Sequence, residues 1–148
     1  EWHVIGMFAP GFFSGMLIAR FGALPVIVVG CLLLFGCVAI AVSGVELMNF
    51  VSALILLGVG WNFLYTGGST MLTACYRPQE KNKVQGFMDL CVFATMITSS
   101  ASSGALIHVN GWALLNLLSM PFILLAMLGV IWLGFRTNWS IGRVVPAR

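Results

Sequence analysis

The feature that most constrains the fold is the length of the uncharged segments. No residue from Leu90 to Phe135 carries a full charge, and of the 148 residues only 7% are charged while 60% are hydrophobic. A soluble domain has about 25% charged residues, so this chain lacks the polar groups to cover a surface in water. The apolar segments are continuous rather than alternating. They therefore predict an all-α integral membrane protein and not a β-barrel.

Charged and turn-forming residues divide a predicted transmembrane domain, residues 1–135, into five spans. A polar loop containing Pro78 separates the third span from the fourth. The sequence HVNGW, His108 to Trp112, separates the fourth from the fifth, because the uncharged stretch is too long for one span of about 20 residues. A polar tail, residues 136–148, follows. The predicted spans are about 2–19, 24–42, 47–74, 84–107 and 112–134.

All seven cations fall on one side of the membrane in this arrangement. They are Arg20, Arg77, Lys81, Lys83, Arg136, Arg143 and Arg148. The opposite side has Glu1 and Glu46. Because cytoplasmic loops are rich in Lys and Arg, we predict that this side and the C-terminal tail are cytoplasmic, in a bacterial inner (plasma) membrane. Topology thereby explains the net charge of +3, and we expect no nucleic-acid partner.

The third predicted span has an unusual set of polar and aromatic residues near its centre. Asn62, Thr66 and Ser69 recur at i, i+4 and i+7 and therefore share one helical face. Trp61 and Tyr65 lie beside them, although Trp and Tyr favour membrane interfaces. One interpretation is a stripe that faces a substrate. The alternative is hydrogen bonding between helices, which is worth about 0.6 kcal/mol on average.

The fourth predicted span has a face of small and polar residues. Ser99 and Ser103 lie one turn apart, after Thr95 and Met96. We expect this face to contact another helix or to line a polar cavity rather than to face lipid.

Asp89 is the only acid within a predicted span. An ionisable group inside a membrane indicates function by default, here proton coupling or gating. The alternative is structural: Asp89 follows the start of the span, where the helix dipole favours an anion and a cytoplasmic Arg or Lys could pair with it.

Two further expectations concern packing. Gly11 and Gly15 form a GxxxG pattern, which lets a neighbouring helix approach closely. The second span is apolar all round, so we expect it to be a peripheral helix that faces lipid.

The sequence contains no motif typical of a metal site or of an enzyme active site. The four cysteines show no metal-ligand spacing, and we interpret them as small apolar residues in membrane helices. No nucleophile motif, metalloprotease motif or phosphate-binding loop occurs. We therefore predict no enzyme activity, no cofactor and no metal.

Two loops resemble those of the major facilitator superfamily. The segment GMLIARFGAL is similar to the family's cytoplasmic G-x-x-x-D-R-x-G-R-R loop; Gly15, Arg20 and Gly22 match, but alanine replaces the acid and both later cations are missing. Such a degraded copy joins the family's eighth and ninth helices. The segment YRPQEKNKVQGF resembles the P-x-E-R-x-x-A-x-G loop before the fifth or eleventh helix, with Pro78 and Glu80 in place.

The resemblance implies helices eight to twelve of a twelve-helix transporter, with an N-terminal half of the same chain missing. It implies secondary active transport of a small molecule by alternating access, with proton coupling as the family's commonest mode and Asp89 as the candidate group here. Gly15, Arg20 and Gly22 would form a gating loop. The alternative is a membrane assembly or anchor subunit that does not transport. The substrate path would be lined by Trp61, Asn62, Tyr65, Thr66, Ser69, Thr95, Met96 and Ser99.

Overall fold

The computed structural model describes residues 2–139. Glu1 and most of the predicted tail, with Arg143 and Arg148, lie outside the described residues. The described part consists of helices joined by short turns. In chain order these are α1 (Trp2–Phe8), α2 (Gly11–Phe21), α3 (Ala23–Ser43), α4 (Leu47–Thr73), a 3-10 turn (Pro78–Glu80), α5 (Lys81–Leu117) and α6 (Met120–Thr137).

Five segments of the described chain are long and apolar enough to cross a membrane, as predicted. The first contains α1 and α2, and the last contains the end of α5 together with α6. The five segments are His3–Phe21, Ala23–Ser43, Leu47–Thr73, Pro78–His108 and Gly111–Thr137.

Two of the breaks between these segments each contain a glycine with a positive φ. Gly22 joins α2 to α3 with a φ of 93°, and its N–H donates to the Ile18 carbonyl over 2.8 Å. Gly111 has a φ of 76° within α5, at the predicted HVNGW break. Residues with a Cβ rarely adopt such angles, so glycine allows both changes of direction.

The pairing of α4 with α1 and α3 depends on glycines that lie closer to their neighbours than most side chains would allow. A Cβ on Gly60 would lie 3.1 Å from the Gly30 carbonyl oxygen of α3. A Cβ on Gly58 would lie 2.8 Å from the Gly6 Cα of α1. By contrast, a Cβ on Gly15 would have no neighbour within 4 Å among the described residues. The expectation that Gly15 supports a close helix contact is therefore wrong for this part of the molecule.

The expectation that the second span is peripheral is also wrong here. Helix α3 supplies most of the buried apolar residues, and Ala23, Leu24 and Cys31 are fully buried. It packs against α4 and α6. The physical reason is that an all-round apolar surface suits the interior of a bundle as well as it suits lipid.

Further contacts fix the two ends of α5. At its start, Pro78 begins the 3-10 turn, and the Glu80 carboxylate accepts a hydrogen bond from the Arg77 backbone N–H over 3.2 Å. After the break, the Trp112 indole N–H donates to the Ala41 carbonyl of α3 over 2.7 Å. The Trp112 ring centroid lies 5.3 Å from that of Phe50 on α4. Between its ends, α5 is separated from α4 by two clefts.

Candidate functional site

Two adjoining clefts open between α4 and α5. The first, which we call the aromatic cleft, has a volume of about 370 Å³ and is lined by Met7, Phe8, Trp61, Asn62, Tyr65, Thr66, Asp89, Val92, Phe93 and Met96. The second, the hydroxyl cleft, has a volume of about 580 Å³ and is lined by Trp61, Cys91, Val92, Thr95, Met96, Ser99, Ser100 and Ser103. Trp61, Val92 and Met96 line both. The two clefts are therefore neighbours.

Trp61 and Tyr65 form the α4 wall of the aromatic cleft. They are four residues apart, so helical geometry places them on the same face. Their ring centroids are 6.3 Å apart and their planes differ by only 16°. Phe8 from α1 and Phe93 from α5 line the same cleft, and both are mostly exposed. The cleft thus has aromatic surface on three helices.

Asp89 bridges α5 to this aromatic wall. The Tyr65 hydroxyl donates a hydrogen bond to the Asp89 Oδ1 over 2.7 Å. No described Lys or Arg forms an ion pair with Asp89. Because α5 begins at Lys81, Asp89 lies about 12 Å along the axis at 1.5 Å per residue. The dipole effect is confined to the first turn, so neither structural alternative for Asp89 is supported.

Asn62 connects α4 to α1. Its Nδ2 donates to the Met7 carbonyl over 2.7 Å, which fixes the orientation of the amide. Its Oδ1 is buried and has no hydrogen-bond partner among the described residues. An unpaired buried acceptor costs about 1–3 kcal/mol. Asn62 therefore holds α1 and α4 together, and its Oδ1 is enclosed by the protein rather than exposed to the cleft.

Ser69 lies outside both clefts. Its hydroxyl donates to Gln85 Oε1 over 3.2 Å, and Gln85 Nε2 donates to the Tyr76 hydroxyl over 3.0 Å. This chain of bonds joins α4, the following loop and the start of α5. Ser69 thus positions α5 relative to α4.

The hydroxyl cleft takes its polar character from α5. The Thr95 hydroxyl donates to the Cys91 carbonyl over 2.8 Å, and the Ser103 hydroxyl donates to the Ser100 carbonyl over 2.8 Å. These bonds satisfy the hydroxyl donors and leave the oxygen lone pairs as acceptors. Ser99 lines the same wall.

The three matching residues of the predicted gating loop lie away from the clefts, at the end of α2. The Arg20 guanidinium is exposed and lies 5.3 Å from the Phe21 ring centroid. Gly15 lies one and a half turns earlier on the same helix, and Gly22 forms the turn into α3. They share a helix end but form no pocket with the other predicted residues.

Sequence reasoning missed three residues that build this region. Met7 and Phe8 line the aromatic cleft because α1 packs closely against α4 at Gly58. No local pattern marks them, since the contact depends on two distant glycines. Gln85 was visible as a polar residue near the start of the fourth span, and that position was its only signal.

No group of three or more His, Cys, Asp or Glu side chains that could hold a metal ion occurs in the part of the chain that the structure describes. The clefts therefore offer hydrogen bonds, ring surfaces and one carboxylate to a ligand.

An all-helical membrane fold with an opening between its helices, mostly apolar and aromatic but with several polar side chains, is typical of a membrane transporter. The family model of the major facilitator superfamily matches residues 3–145. The chain therefore belongs to the major facilitator superfamily and is an integral membrane protein of a transporter family. Members of such a family are transporters rather than enzymes.

Curated relatives agree with this family. The riboflavin transporter RfnT of Brucella anthropi is 40% identical over 131 residues, which are 88% of this chain and 33% of the relative. The uncharacterised transporter YddS of Bacillus subtilis is 29% identical over 132 residues, 88% of this chain and 30% of the relative. The chain thus spans about a third of the length of these relatives. No solved structure gives a significant match.

Proposed function

We propose that the protein to which this chain belongs is a secondary active transporter that moves a small molecule by alternating access. The aromatic and hydroxyl clefts lie on its substrate path. The observation that carries the proposal is that aromatic and polar side chains from α1, α4 and α5 converge on one opening. Polar groups in hydrocarbon are costly, so they are placed where they face a cavity.

The assigned path residues fall into two groups. One group lines the clefts: Trp61, Asn62, Tyr65, Thr66, Thr95, Met96 and Ser99. The other is Ser69, which acts on the path through its hydrogen bond to Gln85.

Asp89 is the candidate for proton coupling. It is a carboxylate within an apolar helix, it lines the aromatic cleft, and its described hydrogen-bond donor is the neutral Tyr65 hydroxyl. An ionisable group within a membrane helix that faces a cavity is a usual element of a proton pathway. Alternate exposure of Asp89 to the two sides of the membrane would therefore couple proton and substrate movement.

We assign Gly15, Arg20 and Gly22 to gating at the cytoplasmic surface. The positive φ of Gly22 supports this role, because it sets the turn that keeps Arg20 at the end of α2. With alternate crossings, the described cations all lie at one end of the bundle, which is cytoplasmic by the positive-inside rule. A bacterial inner membrane with a cytoplasmic C-terminus fits this arrangement.

Riboflavin is the substrate to test first. The relative from Brucella anthropi carries the name of a riboflavin transporter, and the near-parallel Trp61 and Tyr65 rings suit a flat ring system. The full-length protein should let cells that cannot make riboflavin accumulate it from a dilute medium, and collapse of the proton gradient should stop this. Absence of saturable riboflavin uptake would exclude riboflavin as a substrate. Absence of uptake across a broad panel of metabolites would overturn the transport proposal.

Asn62→Leu tests the assigned path directly. We expect it to reduce uptake while the protein still inserts in the membrane, because Asn62 lines the aromatic cleft. Asn49→Leu is the matched control, since Asn49 bonds to the exposed Ser43 hydroxyl away from the clefts. Equal uptake by the two variants would exclude Asn62 from the path.

A further inference from the structure

The substrate class can be inferred from the shape of the aromatic cleft, an inference that rests on the transport function proposed above. Trp61 and Tyr65 lie four residues apart on α4 with planes only 16° from parallel. The two rings therefore present a surface of nearly parallel faces. A flat aromatic ligand gains most from this surface, because planar rings stack in an offset, parallel manner.

The edge of the same cleft carries a hydrogen-bond acceptor that has no donor among the described residues. Asp89 uses Oδ1 for the Tyr65 hydroxyl, and no described residue donates to its other carboxylate oxygen. A ligand that donates a hydrogen bond from its edge would satisfy this acceptor, whereas a ligand with only acceptors would leave it unpaired.

The neighbouring hydroxyl cleft extends this pattern. It shares Trp61 and Met96 with the aromatic cleft, and its α5 wall carries Thr95, Ser99 and Ser103. Hydroxyl groups exchange hydrogen bonds readily with other hydroxyl groups. A hydroxyl-bearing arm attached to the flat ring would therefore fit beside this wall.

We propose that the aromatic cleft binds a planar aromatic ring through stacking on Trp61 and Tyr65 and through an N–H donor at the ring edge. The hydroxyl cleft holds a hydroxylated arm of the same molecule. Asp89 is the acceptor for the ring N–H.

Binding to the purified full-length protein tests this proposal independently of transport. Lumiflavin is the three-ring core of riboflavin with a methyl group in place of its sugar-alcohol arm, and 3-methyllumiflavin lacks the one N–H at the ring edge. We expect lumiflavin to bind about tenfold more tightly than its methylated partner, because a hydrogen bond to a carboxylate is lost. Ribitol, the arm alone, should not bind measurably, and riboflavin should bind at least as tightly as lumiflavin.

Two variants test whether Trp61 forms the surface on which the ligand stacks. Trp61→Leu should weaken lumiflavin binding about tenfold, in line with the loss of one aromatic platform for a flat ring. Trp132→Leu is the control, because Trp132 is 60% exposed on α6 and lies outside both clefts. Equal effects of the two variants, equal binding of the two flavins, or preferred binding of benzyltrimethylammonium would each overturn the substrate class.

The transport proposal and the flat-ring proposal can be contradicted independently of each other. Lumiflavin binding without uptake of any substrate would support the flat-ring site and contradict transport. Uptake of a substrate with no flat ring, and no lumiflavin binding, would support transport and contradict the flat-ring site.

Discussion

Helix α4 makes two kinds of contact on its two sides. Toward α1 and α3 it presents Gly58 and Gly60, whose missing side chains let the backbones approach closely. Toward α5 it presents Tyr65 and Ser69, which reach across a cleft through single hydrogen bonds. Close backbone packing makes the first side a rigid support. The second side is held by a few polar bonds, and such bonds can be exchanged when a ligand enters or a helix moves.

This difference fits the requirements of an alternating-access transporter. A moving part must keep its own packing while its contacts across the substrate path change. Helices α1, α3 and α4 form the packed part, and α5 lines the path opposite them. The predictions below test whether the two sides of α4 differ in this way.

The largest effect is expected on the packed side. Gly58→Ala places a methyl group against the backbone of His3 and Gly6, so the helices must separate. We expect a loss of about 1–3 kcal/mol of unfolding free energy, the usual cost of overpacking. Thermal melting of the full-length protein in detergent measures it.

Gly68→Ala is the matched control on the same helix. A Cβ there has no described neighbour within 4 Å, and alanine favours a helix over glycine by about 1 kcal/mol. The melting temperature should stay equal or rise. Equal destabilisation by the two variants would show that close glycine packing does not distinguish this side of α4.

The next effect is expected on the cleft side, in activity rather than in stability. Tyr65→Phe removes the hydroxyl that donates to Asp89. Hydrogen bonds to charged groups are worth about 1.5–3 kcal/mol, so we expect uptake to fall about tenfold or more. Asp89→Asn should have at least as large an effect, and the double variant should be no worse than Asp89→Asn alone. Measured initial uptake rates, corrected for the amount of protein in the membrane, give the comparison.

Thr73→Val is the control for this cycle, because the exposed Thr73 hydroxyl donates to the Thr70 carbonyl within α4, outside both clefts. Additive effects of Tyr65→Phe and Asp89→Asn would contradict a role for the Tyr65–Asp89 bond.

The smallest effect is expected where α5 rejoins the packed part. Trp112→Phe keeps a ring beside Phe50 but removes the N–H that donates to Ala41. A neutral hydrogen bond contributes about 0.5–1.5 kcal/mol, so the melting temperature should fall slightly while uptake is unchanged. Trp132→Phe on exposed α6 should alter neither. A large loss of uptake in Trp112→Phe would place this contact in the transport mechanism.

Hydropathy was sufficient to predict the helical class and the number of spans. The charge-free length excluded a soluble fold, and the spacing of Asn62 and Thr66 placed both on one wall of the aromatic cleft. These features depend on residues close together in the sequence, which is why the sequence alone revealed them.

The arrangement of the helices could not be predicted in the same way. Hydropathy measures transfer out of water and does not distinguish lipid from a protein interior, so the burial of α3 was missed. The Gly6–Gly58 and Gly30–Gly60 contacts join residues far apart in sequence. Phe8 enters the cleft as a consequence of the first contact. Only the three-dimensional structure reveals such pairs.

Cysteine labelling at Cys91 tests the central claim, that the clefts between α4 and α5 form the substrate path. Cys91 lines the hydroxyl cleft, and Cys75 is exposed in the loop after α4. Full-length variants that keep one of these two cysteines and no other would be treated with a small polar thiol reagent, and riboflavin uptake would be measured. Our account predicts that labelling of Cys91 blocks uptake and is slowed by riboflavin, while labelling of Cys75 does neither. Complete labelling of Cys91 with unchanged uptake would contradict it.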